Sequence, residues 1–140
     1  MITAKKSRTI LKSTLARARE MNLKPLAVVV LDAGGHPIAF EREDGSAPGR
    51  FELARGKAYG CLMLGIGGQA IHARAEAQSY FVQAMNGLYG GKFVPVMGGV
   101  LVRDAKGNVL GAVGVTGDTS ENDAACAAAG ITAAGFTPEI

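Results

Sequence analysis

Apolar residues recur at helical spacing near the N-terminus and then form one continuous run. The helical pattern covers residues 3–21, with Thr3 as the predicted N-cap and Pro25 beyond its end. The valine-rich run Leu26–Leu31 predicts a central strand that is covered on both faces. The turn residues Asp32–Gly35 lead into a second strand, so these two strands are predicted to form a β-hairpin.

The remainder of the chain repeats this arrangement of helices and a hairpin. Helices are predicted over residues 51–64 and 69–86. The predicted inner face of the second consists of Ala70, Ala73, Ala77, Phe81 and either Ala84 or Met85. A second hairpin follows, with strands Val100–Arg103 and Val109–Thr116 around the turn at Asp104–Asn108. The last helix, residues 121–134, is mostly alanine, and Ser120 is its predicted N-cap.

This order of elements predicts a single α/β domain of the α+β type over residues 1–140. Two separated hairpins can join edge to edge into one antiparallel sheet. Helices then cover one face, as in a profilin-like or PAS-like layer. The other face needs a cover too, and a homo-oligomer is the simplest way to supply one.

Charge is distributed unevenly along the chain. Seven of the 15 Lys and Arg residues but only one of the 12 acidic residues fall within residues 1–24. No aromatic residues are interleaved with these cations to stack bases, so a solvated helix face is favoured over a nucleic-acid interface. The sequence shows no signal peptide and no apolar run of transmembrane length. We therefore expect a cytoplasmic location and no membrane partner.

Cysteines and histidines are few and give no metal-binding motif. Cys61 and Cys126 lie far apart in alanine-rich segments and are predicted to be small buried apolar residues of a reducing compartment. His36 and His72 are the only histidines, and their spacing does not match a zinc site built from protein ligands. The glycine-rich strands contain neither a phosphate-binding loop nor a serine-hydrolase motif.

Several stretches, taken together and in order, resemble the GlcG/HbpS family, which includes the C-terminal domain of PduO-type proteins. They are the hairpin Val30–Phe40, the segment Arg42–Gly45, the helix segment Ala54–Ala58, and the glycine-containing strands Gly98–Val100 and Gly111–Gly117. The resemblance spans nearly the whole chain. Family members often have methionine where this chain has Glu43, so a thioether ligand at that position is not available here.

The resemblance implies an oligomeric protein that binds haem or a related tetrapyrrole. In that interpretation His36 is the axial ligand of the haem iron, and cationic side chains lie near the propionates. The other predicted cofactor-binding residues are Arg42, Arg55, Lys57, Gly98 and Gly99. Two of these assignments compete with simpler interpretations: His36 as a turn histidine bonded to its own loop, and Lys57 as a snorkelling lysine.

Two other classes of function remain open from the sequence. The chain could be a small-molecule enzyme of the isomerase or lyase type that acts on an organic acid. His36 or Asp32 would then serve as the base, and Arg55 or Lys57 would hold the substrate carboxylate. It could also be a structural partner in a larger complex, for which the basic N-terminal helix and the alanine-rich last helix are the only support.

Overall fold

The computed structural model describes all 140 residues. The helices are α1 (Ala4–Glu20), α2 (Arg50–Leu64), α3 (Gly68–Ala77), α4 (Ser79–Leu88) and α5 (Ser120–Ala133). The strands are β1 (Ala27–Asp32), β2 (Pro37–Arg42), β3 (Gly99–Arg103), β4 (Val109–Thr116) and β5 (Thr137–Glu139). None of these helices combines the length and the apolarity that crossing a membrane requires.

The five strands form one antiparallel sheet in the order β2-β1-β4-β3-β5. The two predicted hairpins join through β1 and β4, with Val30 opposite Val113, which confirms the predicted α+β layer. Pro37 begins the edge strand β2, where a missing backbone N–H costs no ladder hydrogen bond. The short strand β5, which the sequence did not predict, pairs with β3 at the opposite edge.

Both faces of the sheet are covered by helices of the same chain. Val28 and Val30 of β1 point into a cluster shared with α1 and α5. Val29 and Leu31 point into a second cluster shared with α2, α3 and α4. The expectation of one open face was therefore wrong, because α2, α3 and α4 fold back over it, and that face gives no reason to expect a homo-oligomer.

The predicted helix over residues 69–86 is two helices that break at Gln78, whose φ of −142° and ψ of 67° are not helical. A straight helix would place Val82 about 16 Å beyond Ile71 at 1.5 Å per residue. The break lets both side chains enter the same core cluster. The predicted inner face was also wrong in α3, where Ile71 is buried and Ala70, Ala73 and Ala77 are exposed.

The caps of the first and last helices fix their start points. The Thr3 hydroxyl accepts a hydrogen bond from the Lys6 N–H at 3.1 Å, as predicted. The last helix begins one residue earlier than expected, since Thr119 and not Ser120 is its N-cap and accepts from the Asn122 N–H at 3.2 Å. The carboxylate of Asp123 takes no part in this cap, so it is available to groups outside α5.

Candidate functional site

The turn between β1 and β2 is held by the carboxylate of Asp32. Its Oδ1 accepts hydrogen bonds from the backbone N–H groups of Gly34 and His36, both at 2.9 Å. Gly35 has a φ of 86°, a backbone conformation that glycine adopts without strain. Together these contacts fix where the His36 side chain leaves the turn.

The His36 imidazole stands out from this turn beside the same carboxylate. Its Nδ1 lies 3.4 Å from Asp32 Oδ1, while 81% of the side chain is exposed. The N–H of His36 is the main cause that holds the pKa of Asp32 below its ordinary value, so this carboxylate stays ionised. A carboxylate next to one ring nitrogen orients the imidazole and leaves Nε2 free to bind a metal.

An apolar cleft of about 500 Å³ adjoins the Asp32 side of this turn. It is lined by Met1, Ile2, Asp32, Ala33, Gly34, Ile38, Val109 and Leu110. Its volume falls within the range of about 300–1,000 Å³ that small-molecule sites occupy, and a mostly apolar lining with one polar group is typical of them. Gly34 keeps the cleft and the imidazole close together, because a β-carbon on Gly34 would lie only 3.0 Å from His36 Nδ1.

Lys57 lies at the opposite end of the sheet and is buried. Its Nζ donates to the Val115 carbonyl at 3.0 Å and to Asp123 Oδ2 at 3.3 Å. The two charged side chains are only 5% and 1% exposed. Burial lowers the pKa of Lys57 and raises the pKa of Asp123, and their mutual attraction opposes both changes.

This ion pair joins α2 to the first turn of α5 and to the end of β4. The other Asp123 oxygen, Oδ1, accepts from the Asp118 N–H at 3.0 Å, and Arg50 donates to the Thr116 hydroxyl at 2.9 Å nearby. None of the four surface clefts reaches Lys57. A substrate carboxylate, as in the organic-acid enzyme hypothesis, would have to displace Asp123 in order to reach Lys57.

Gly98 and Gly99 pack directly against Lys57. A β-carbon on Gly98 would lie 2.8 Å from Lys57 Nζ, and one on Gly99 would overlap the Lys57 carbonyl. Gly98 also has a φ of 116°. The absence of side chains here is thus explained by the close approach of α2 to β3, which is internal to the chain.

The two arginines of the predicted site lie apart from each other. Arg42 is exposed at the end of β2 beside an open polar cleft of about 470 Å³, whose lining is Arg19, Pro25, Glu41, Arg42, Glu43 and Asp44. Glu43 is not free in this cleft, since Oε1 accepts from the Leu26 N–H at 2.8 Å and from Arg19 at 3.2 Å. Arg55 is half-buried on α2, near the Gly90–Lys92 loop.

The six predicted residues therefore do not converge on one site. Lys57, Gly98 and Gly99 are together, and His36 is at the other end of the sheet with Asp32. Sequence reasoning missed Asp123 as the partner of Lys57. The sequence does indicate that Asp123 is buried, because it lies three, four and seven residues before the inward-facing Cys126, Ala127 and Gly130. This spacing places its carboxylate on the buried stripe of α5.

Comparison with known proteins gives one family and a consistent fold. A model of the family described as haem-degrading HbpS-like proteins matches residues 2–132. An uncharacterised 15.0 kDa protein from the dhaT-dhaS intergenic region of Citrobacter freundii is 31% identical over 127 residues, which cover 87% of this chain and 84% of that protein.

Solved structures share the fold at lower identity. The crystal structure of a PduOC:heme complex has a TM-score of 0.84 at 20% identity and covers 96% of both chains. Protein ORFY of Klebsiella pneumoniae has a TM-score of 0.85 at 24% identity, over 96% of this chain and 90% of that one. A double mutant of HbpS from Streptomyces reticuli has a TM-score of 0.77 at 22% identity, over 93% and 84%.

Proposed function

The chain belongs to the family of haem-degrading HbpS-like proteins, and from this premise we propose that it binds haem or a related tetrapyrrole through His36. One observation carries the proposal: an exposed imidazole whose Nδ1 faces the ionised carboxylate of Asp32 at 3.4 Å, and Asp32 itself lines an apolar cleft. That arrangement is typical of histidines that bind a metal through their other nitrogen. The haem complex of the structural neighbour PduOC supports the choice of ligand.

The residues present suit a metal that arrives inside a macrocycle. No three His, Cys, Asp or Glu side chains gather to hold a bare metal ion. A tetrapyrrole supplies four nitrogens itself and needs only one axial side chain from the protein. In this proposal His36 provides that ligand, Asp32 orients it, and the cleft lined by Ile38, Val109 and Leu110 covers part of one apolar face.

Haem, when bound, supplies a redox-active iron whose potential depends on its axial ligand and its burial. The chain's own contribution is to hold the ligand and to set those two properties. Because Lys57, Gly98 and Gly99 are engaged inside the fold at the other end of the sheet, the proposal does not assign them contacts with the ligand. Arg42 lies at that end as well, since it pairs with Ala27, which in turn pairs with Thr116. Arg55 therefore remains the candidate for a contact with a propionate.

The test is a haemin titration followed at the Soret band, with a matched pair of histidine variants. We expect saturable one-to-one binding that His36→Ala weakens by roughly tenfold or more, as loss of a metal ligand or its support does elsewhere. His72→Ala is the control, because His72 on α3 is also partly exposed and lies 3.7 Å from a carboxylate, that of Glu76. Equal binding by wild type and His36→Ala would exclude His36 as the axial ligand.

The proposal places the protein in the cytoplasm as a homo-oligomer. One observation agrees with a reducing compartment: both cysteines are free and buried. Sedimentation of the purified protein with and without haemin tests the oligomeric state. A monomer under both conditions would contradict that part of the proposal.

A further inference from the structure

We propose that Arg55 and Lys92 form a second binding site, which takes a singly charged oxyanion, most favourably a carboxylate group. The site lies between helix α2 and the loop Gly90–Lys92. The site uses neither His36 nor the apolar cleft and can be tested without haem, but it shares Arg55 with the proposed function, which offers that residue to a propionate.

Arg55 is the only half-buried arginine without a partner. The other two half-buried arginines both have partners. Arg50 donates to Thr116 at 2.9 Å, and Arg103 donates to Glu139 at 2.9 Å. Arg55 Nε is enclosed and makes no hydrogen bond, and no carboxylate lies within ion-pair distance of the guanidinium. An enclosed donor on a charged group costs free energy unless a ligand or water accepts from it.

The chain brings a second cation to the same place by close packing. A β-carbon on Gly56 would overlap Val94, and the Val94 N–H donates to the Gly56 carbonyl at 3.3 Å. This contact holds the segment before Val94 against α2, so that Lys92 and Arg55 line one cleft. The Lys92 ammonium lies 5.6 Å from the centre of the Tyr59 ring and has no carboxylate partner.

The cleft that both residues line suits one small group. The cleft has a volume of about 80 Å³ and is lined by Glu52, Arg55, Gly56, Gly91 and Lys92. At about 30 Å³ per water in the liquid, it holds a group the size of two or three waters, which matches a carboxylate and excludes a macrocycle. An arginine fork with a lysine nearby is a common arrangement for binding oxyanions.

Glu52 decides which oxyanion is preferred. Its carboxylate lines the same cleft without forming an ion pair to either cation. The lining residues therefore carry a net charge of +1. A monoanion neutralises this charge, whereas a dianion leaves one negative charge uncompensated and costs more free energy to remove from water. A monoanionic carboxylate is favoured over dianionic phosphate for this reason.

The test follows the Nε–H resonance of Arg55 in ¹⁵N-labelled protein without haem. The resonance is identified by its absence in Arg55→Lys, and acetate or phosphate is titrated at pH 8 and constant ionic strength. We expect a saturable shift with acetate and at least threefold weaker binding of phosphate. In Glu52→Gln the affinities for acetate and phosphate should be closer to each other. Lys92→Gln should weaken acetate binding by about fivefold or more, because it removes one of two cations.

Arg42→Gln is the matched control, since Arg42 is an exposed arginine with no enclosed nitrogen, and acetate binding should be unchanged in it. A shift that rises without saturation, or that saturates equally in Lys92→Gln, would overturn the site. The wild-type titration needs no variant to fold, so the proposal stays testable if one of them does not.

A second arm identifies the source of the carboxylate with haemin and its dimethyl ester, which lacks both carboxylates. If the site takes a propionate, the ester should bind wild type as weakly as haemin binds Arg55→Gln. If haemin and the ester bind alike while acetate still saturates, the site takes a separate small acid. Absence of any haemin binding would refute the proposed function and leave the acetate result standing.

Discussion

The two ends of the sheet each hold an aspartate beside a basic side chain, but they differ in burial. At the Asp32 end the carboxylate is 46% exposed and its histidine 81% exposed. At the Asp123 end the carboxylate is 1% exposed and its lysine 5% exposed. Both aspartates also accept backbone N–H groups from a turn, so the local hydrogen-bonding pattern is similar.

This difference in burial separates a group that can act on a ligand from one that holds the fold. The imidazole of His36 can bind a ligand without losing its partner, because Asp32 occupies only one side of the ring. The ammonium of Lys57 has no such freedom, since Val115 and Asp123 take its donors inside the chain. A buried charge that loses its partner is costly, whereas an exposed one is simply hydrated.

The largest expected effect is on stability at the Lys57 end. Asp123→Asn keeps an acceptor for the Asp118 N–H but leaves the Lys57 charge buried without a counter-charge. We expect the free energy of unfolding to fall by about 3 kcal/mol, at the lower end of what breaking a buried pair costs. Urea denaturation of the purified variant measures this change.

The double variant Lys57→Met with Asp123→Asn sharpens the result. It removes the unpaired charge and keeps a chain of similar length against Gly98, so it should recover a large part of the loss. Haemin binding of both folded variants should equal that of wild type, because the proposed site lies at the other end of the sheet. A double variant less stable than Asp123→Asn would contradict the ion-pair explanation.

Most of the fold could be predicted from the sequence, because local pattern determined it. Both hairpins, their joining and the start of α1 at Thr3 followed from turn residues and apolar periodicity. The run Leu26–Leu31 even indicated a strand covered on both sides, in conflict with the expectation of an open face. The run was the better guide, because it reports burial directly. The expectation of an open face assumed instead that all helices lie on one side of the sheet.

The rest depended on contacts between distant segments. The break at Gln78 has no glycine or proline to announce it and is fixed by the way Ile71 and Val82 enter one cluster. The pairing of Lys57 with Asp123 spans 66 residues, so spacing alone could not show it. The same holds for Lys92, which shares a cleft with Arg55 only because Gly56 lets another segment approach α2.

A smaller effect is expected at the exposed end of the sheet, where Asp32 and His36 lie. Asp32→Asn keeps the turn, because an asparagine oxygen can accept the same two N–H groups, but it removes the charge beside His36. We expect haemin affinity to fall by about tenfold, the lower part of the range for a residue that supports a metal ligand. Haemin titration at neutral pH measures the change.

The second hairpin offers a matched control for this variant. Asp104 Oδ1 accepts from the N–H groups of Lys106 and Asn108, both at 2.9 Å, in the same turn arrangement but without a histidine. Asp104→Asn should therefore leave haemin affinity unchanged. If the two variants bind haemin equally well, the carboxylate of Asp32 serves the turn alone.

The smallest effect separates the two aspartates by the direction of their pKa. Carboxyl ¹³C NMR should show Asp32 titrating below its ordinary value of 3.8, because the His36 N–H donates to it, and Asp123 titrating above 3.8, because it is buried. At pH values above 3.8, the ordinary pKa of an aspartate, the lowered pKa of Asp32 adds stability. This stability is lost as the pH falls through the lowered pKa. His36→Ala should leave Asp32 low, because the backbone donor remains. A return of Asp32 to its ordinary pKa in that variant would show that the imidazole, and not the turn, controls this carboxylate.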